Sequence, residues 1–264
     1  CSVSVETIFA GAFMSPNYLI DTPNPLTDGD PIPAQWADPI APTQNGLDPI
    51  TVTAFLPKGA TPPGGWPVVV YGHGFTRSRG DLFVVASQLA AVGIASISFD
   101  WVGHGDPQSP LGPGRAIQIN DQAPLCDDTP DPGDTDTGGI TCFAPTLSSN
   151  LAANRDYLRQ SALDALALIN AMKLCASDTC GAGFNLNPDR IGYLSQSLGS
   201  MIGSLIVPSS PDIKAASFSV GGVGVIDIIE NTRPDFLCPL VDSLIDAGVL
   251  TGDKSDLTAM TPTG

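Results

Sequence analysis

Short runs of β-branched and apolar residues recur along the chain, separated by Gly- and Pro-rich connections and by amphipathic stretches of helical length. ITVTAF at 50–55 reads as a strand. PKGATPPGGWP follows as a turn-rich link, and VVVY at 68–71 is a continuous apolar run of the kind a strand buried on both faces requires. A helix is predicted from about Asp81 to Val92, and IASISFD at 94–100 is a second buried strand. Between Asn150 and Lys173 the spacing of Leu151, Leu158, Ala162, Ala165, Leu166 and Ile169 places apolar side chains on one face of a long helix, expected to pack on a sheet. RIGYLS then supplies a central strand, a helix starts after Ser197, and KAASFSV completes another unit. Strand, loop and helix in alternation predict an α/β fold: a mostly parallel sheet, helices on its faces, right-handed crossovers.

This pattern divides the chain. Residues 1–49, rich in Pro, Asp and Asn with little periodicity, are expected to form an extended arm lying on the domain. Residues 50–220 form the α/β core, interrupted at 107–149 by a long excursion that includes CDDTPDPGDTDTGGITC, an acidic surface loop bracketed by Cys126 and Cys142. Residues 221–264 read as a helical, cap-like segment, with VIDIIENT and LVDSLIDAGVL as amphipathic helices carrying their acids toward solvent. No repeat of solenoid period occurs.

Composition narrows the function classes. Eleven Lys and Arg against 27 Asp and Glu give a net charge of −16, so a nucleic-acid backbone or an anionic membrane surface would be repelled. With 42% hydrophobic and only 14% charged residues, the chain has the composition of a packed globule and not of an acidic disordered one. No apolar run reaches the length of a transmembrane helix. Six cysteines, with Cys126/Cys142 and Cys175/Cys180 as close pairs and Cys1 and Cys238 left over, point to a disulfide framework and an extracytoplasmic compartment. Cys1 is also where a bacterial lipoprotein would carry its lipid anchor.

The chemistry centres on one serine. Ser195-Gln196-Ser197-Leu198-Gly199 matches the G-x-S-x-G nucleophile elbow except that Ser replaces the first Gly, and it lies between an apolar strand and a helix, where that motif requires it. With VVVYGHGF and ISFDWVGHGD upstream, the sequence resembles the α/β-hydrolase superfamily over residues 50–220, and more loosely is similar to bacterial extracellular esterases and lipases, polyester-degrading members included. The resemblance implies Ser197 as the nucleophile attacking an ester with an apolar acyl group. It also implies an oxyanion hole from the backbone N–H groups of Phe75 and Leu198, a supporting role for His73 and Gly74 in the loop, and no cofactor.

What the resemblance also implies, an Asp or Glu and then a His after the serine, is missing from these residues. The only histidines, His73 and His104, precede Ser197, and both read as structural. Asp227, Asp235, Asp242, Asp246, Asp253 and Asp256 follow it without a legible acid among them. The fold expected is therefore an α/β-hydrolase core whose C-terminal strands are absent from this chain. Three arrangements fit. The acid and base come from a missing C-terminal part, as a second chain of the same precursor; or the protein is a noncatalytic binding or structural relative; or His73 acts as an unorthodox base. Two side readings complete the survey: calcium at the 127–136 loop, which only partly imitates an EF-hand, and Trp36, Trp66 and Phe75 as either cleft or core aromatics.

Overall fold

The computed structural model describes residues 4–23, 31–118, 141–142, 150–174 and 184–222, with positions 241, 245 and 251. In chain order its elements are β1 (Val5–Asn17), β2 (Leu19–Pro23), β3 (Pro31–Trp36), β4 (Gly46–Pro57), β5 (Trp66–Gly72), α1 (Leu82–Ala91), β6 (Ala95–Phe99), β7 (Ile117–Gln118), β8 (Thr141–Cys142), α2 (Leu151–Leu174), β9 (Leu186–Gln196), α3 (Leu198–Ser209) and β10 (Ile213–Ser219).

Six strands form one sheet in the order β1-β4-β6-β5-β9-β10. From β6 to β10 the neighbours run parallel, whereas β1/β4 and β4/β6 are antiparallel. Alternation along the strands explains the two cores. Val68, Val70, Ile97, Phe99, Ile191 and Tyr193 face α2 and α3, meeting Ala165, Leu168, Ile169, Ile202 and Ile206. The opposite face packs Phe55 and Tyr71 against Leu82 and Ala86 of α1. Helices thus cover both faces. α1, leaving β5, and α3, leaving β9, depart to opposite sides of the sheet. The crevice between the carboxyl ends of β5 and β9 is consequently a topological switch point, where open α/β sheets bind ligands.

The first 49 residues depart from the expected arm. β1 is the edge strand of the main sheet, in register with β4 from Val5↔Pro57 to Asn17↔Gly46, and β2 and β3 pair as a small antiparallel sheet. A polar stripe on α2 holds them. Asp156, Gln160 and Asp164, one turn apart, are at most 1% exposed. Trp36 N–H donates to Asp156 at 3.0 Å, Tyr18 N–H to Gln160 Oε1 at 3.0 Å, and Ser15 Oγ to Asp164 Oδ1 at 2.6 Å, while Arg115 pairs with Asp164 Oδ2 at 2.6 Å. Buried carboxylates need such partners. On the predicted apolar face of α2, Ala162, Ala165 and Ile169 are buried, Leu158 and Leu166 are half-buried and Leu151 is exposed.

Of the predicted cap-like segment, Val241 and Ile245 are described and helical. The acidic loop at 127–136, Asp227, Asp235, Asp242, Asp246, Asp253, Asp256, Cys1, Cys126, Cys175, Cys180 and Cys238 lie outside the described residues, and with them every proposed disulfide. Among the described residues, no helix is long and apolar enough to cross a membrane.

Candidate active site

The turn from β9 to α3 gives the site its shape. Ser197 has φ 49° and ψ −116°, a conformation that side-chain-bearing residues rarely adopt and that persists only where the surroundings enforce it. Its N–H donates to Ser219 O of β10 at 2.9 Å, and its carbonyl accepts the first bonds of α3 from Ser200 and Met201. The hydroxyl makes no capping bond to that helix, so it is not spent on the local backbone.

Three buried groups lock the elbow from below. Ser200 Oγ donates to Ser219 O at 3.0 Å, which leaves it to accept from Ser195 Oγ, also at 3.0 Å. This explains why Ser stands where G-x-S-x-G has Gly: the hydroxyl joins β9, α3 and β10 in one chain of bonds. Burial raises the Tyr193 phenol, which stays protonated and donates to Gly199 O at 2.7 Å. Gly199 is required by approach alone. A Cβ there would sit 2.8 Å from His73 O and closer still to the Gly72 carbonyl, so the glycine lets α3 press against the end of β5.

That contact brings the β5 loop to the serine. The place where a Gly74 Cβ would be is 3.5 Å from Ser197 Cβ, so the residue before Phe75 lies beside the elbow. Leu198, the first residue of α3, has one of the N–H groups for which a helix offers no acceptor, and the helix end favours negative charge. Phe75 is half-buried, edge-on to His104 with ring centroids 5.5 Å apart.

His73 is completely buried, and its hydrogen bonds define its tautomer. Trp101 N–H donates to Nε2 at 3.2 Å, so Nε2 carries no proton, and Nδ1–H donates to Gly74 O at 2.8 Å. Burial, reinforced by the neighbouring His104, holds the imidazole well below its usual pKa. A ring with both nitrogens committed cannot take a proton from Ser197, and the geometry argues against the unorthodox-base arrangement. His104 is as deeply buried, bonded through Nδ1 to Val102 O at 3.1 Å, and its pKa is lowered by burial to about 4.

Two groups beside the site carried no functional reading in the sequence. Arg79 and Asp100 form a buried ion pair where the β5 loop meets the end of β6. Their only signal was a charged residue in the segment that follows each apolar strand. Of the three candidate aromatics, Trp66 belongs to the core and is not a cleft residue; Trp36 packs with Leu19, Val102 and Tyr157, with Arg159 over its ring.

No protein-family model matches the chain, and no curated protein matches it in sequence. Solved structures do. A 2,6-dihydroxy-pseudo-oxynicotine hydrolase aligns at 16% identity with a TM-score of 0.43, covering 80% of this chain and 43% of that one. A puromycin-hydrolyzing peptidase of Mycobacterium tuberculosis aligns at 19% and 0.45, covering 75% and 24%, and an acetyl xylan esterase from Paenibacillus sp. R4 at 18% and 0.45, covering 96% and 66%. The chain therefore spans less than two thirds of the length of each. Its own architecture, a mostly parallel sheet with helices on both faces and a serine at a strained strand-to-helix turn, is the α/β-hydrolase fold.

Proposed function

We propose that this chain carries the nucleophile and oxyanion parts of a serine carboxylic ester hydrolase. The observation that carries the reading is Ser197, held at φ 49° in the elbow, with Gly74 of the loop after β5 directly beside it. In the reaction Ser197 Oγ bonds to the ester carbonyl carbon, its proton passes to a base, and the carbonyl oxygen becomes an oxyanion received by the N–H groups of Phe75 and Leu198. The carbon–oxygen bond to the alcohol breaks, the alcohol takes the proton from the base, and water releases the acid from the acyl-enzyme. The reading takes the substrate to be an ester with an apolar acyl group, a class that extends to polyester chains.

The base is the piece that these residues do not supply. Both histidines are buried with their rings bonded to the backbone. The reading therefore has the acid and a histidine contributed by a further part of the same precursor, joined to this chain or as a second one. The six cysteines support reading it as a secreted or cell-envelope protein, since disulfides persist in oxidising compartments.

A fluorophosphonate probe and a series of nitrophenyl esters test the proposal on the full-length protein. Wild type is expected to be labelled at Ser197 and to turn over the esters; Ser197→Ala should lose both, leaving at most the roughly 10³ to 10⁴-fold acceleration over water seen when a triad member is removed. Labelling that persists in Ser197→Ala overturns the assignment. A full-length protein with neither labelling nor turnover is a noncatalytic relative.

A further inference from the structure

The loop that carries Phe75 is held at both ends by one dipeptide, Asp100-Trp101, at the carboxyl end of β6. At the near end, Trp101 N–H donates to His73 Nε2 at 3.2 Å and its indole Nε1–H to His73 O at 2.9 Å. At the far end, Arg79 N–H donates to Asp100 Oδ1 at 2.6 Å, and the Arg79 guanidinium pairs with Asp100 Oδ2. The same guanidinium reaches the carbonyls of Gly112, through Nη2, and Pro113, 3.5 Å from Nη1, so the loop after β6 is tied into the same knot. Gly105, at φ 79°, closes over the carboxylate: a Cβ there would lie 2.7 Å from Asp100 Oδ1.

Between the two anchored ends stands Thr76 at φ 61°. A β-branched residue in the left-handed region is an outlier that costs on the order of 1–3 kcal/mol and survives only where the surroundings over-determine it. Arg79 and Asp100 are at most 4% exposed, and an ion pair that deep seldom stabilises a protein more than apolar residues of the same size would. Stability alone therefore gives little reason for it. Holding a strained loop in one conformation does.

We infer that Arg79 and Asp100 are a positioning pair that presents the Phe75 N–H to the developing oxyanion. The inference rests on the ester hydrolase reading. An oxyanion donor removed outright costs about 10²–10³ in kcat, so one displaced is expected to cost about tenfold or more.

The experiment uses the full-length protein, with Ser197→Ala as the first control. If that variant stays active, the hydrolase reading falls before the pair is examined. With an inactive Ser197→Ala, Arg79→Gln should show wild-type circular dichroism, a kcat lower by about tenfold or more, and a KM within about threefold. Its affinity for a trifluoromethyl ketone, which forms a tetrahedral oxyanion adduct, should fall in parallel, while that for the matching amide stays. Arg79→Lys keeps a cation on Asp100 but cannot also hold Gly112, and should lie between. A folded Arg79→Gln with wild-type kcat, or with an unchanged trifluoromethyl ketone affinity, overturns the inference. If Arg79→Gln does not fold, Arg79→Lys decides: a loss confined to kcat and to the ketone supports the pair's role, and wild-type values overturn it.

Discussion

Acidification from pH 7 to pH 4 should cost the folded protein about 3 kcal/mol through His104 alone. The side chain is fully buried, edge-on to Phe75 and 5.3 Å from the His73 ring, and burial lowers its pKa from 6.5 to about 4. In the unfolded chain the imidazole returns to 6.5. Above that value neither state binds the proton, and the stability is fully present. As pH falls below 6.5 only the unfolded state is protonated, and stability drops by about 1.4 kcal/mol per pH unit until the folded-state value is reached. His73, lowered for the same reason, adds a loss of the same sign. Asp100 works the other way, since burial raises its carboxyl, so the net slope of a urea titration mixes several groups. The clean assay follows the imidazole C–H resonances by NMR from pH 8 to 4, with urea unfolding of wild type and His104→Gln at each pH. The pH-dependent difference between the two proteins should grow below pH 6.5. An imidazole that titrates near 6.5 in the folded protein, or a difference that does not change with pH, would refute the argument.

Two substitutions probe the architecture. Gly199→Ala should destabilise by about 1–3 kcal/mol in urea unfolding, because the added methyl meets the backbone carbonyls of Gly72 and His73, which cannot swing aside; a loss under about 0.5 kcal/mol would mean that α3 does not press on β5 as described. Asp164→Ala removes the acceptor for Ser15, Gln160 and Arg115 together and should cost about 3 kcal/mol, with the N-terminal strands becoming sensitive to limited proteolysis first. A stability within about 1 kcal/mol of wild type would show that the α2 stripe does not hold those strands.

The parts legible in advance were those whose signal is local. VVVY and IASISFD read as buried strands, and the helix from Asn150 to Lys173 announced itself by spacing; the structure has β5, β6 and α2 there. The serine was equally plain, because a strained turn needs small residues at fixed offsets and the chain spells them in order. The N-terminal strands were not legible. Their partners are β4, some 30 to 50 residues on, and a stripe on α2 more than 100 residues away. Asp156, Gln160 and Asp164 have the spacing of any solvated helix face, and nothing nearby in sequence tells a buried carboxylate from an exposed one.

The amino-acid sequence by itself determined the alternation of strands and helices, the elbow at Ser197 and the count of two histidines, since each depends on residue type and short spacing. Only the tertiary structure decided what those histidines can do. The Trp101 N–H on His73 Nε2 and the Val102 carbonyl at His104 Nδ1 come from residues brought close by the return of the chain from β5 to β6. The same return joins Arg79 to Asp100, 21 residues apart. A proton's place on a ring, and a charge's partner in the interior, depend on which atoms meet after folding.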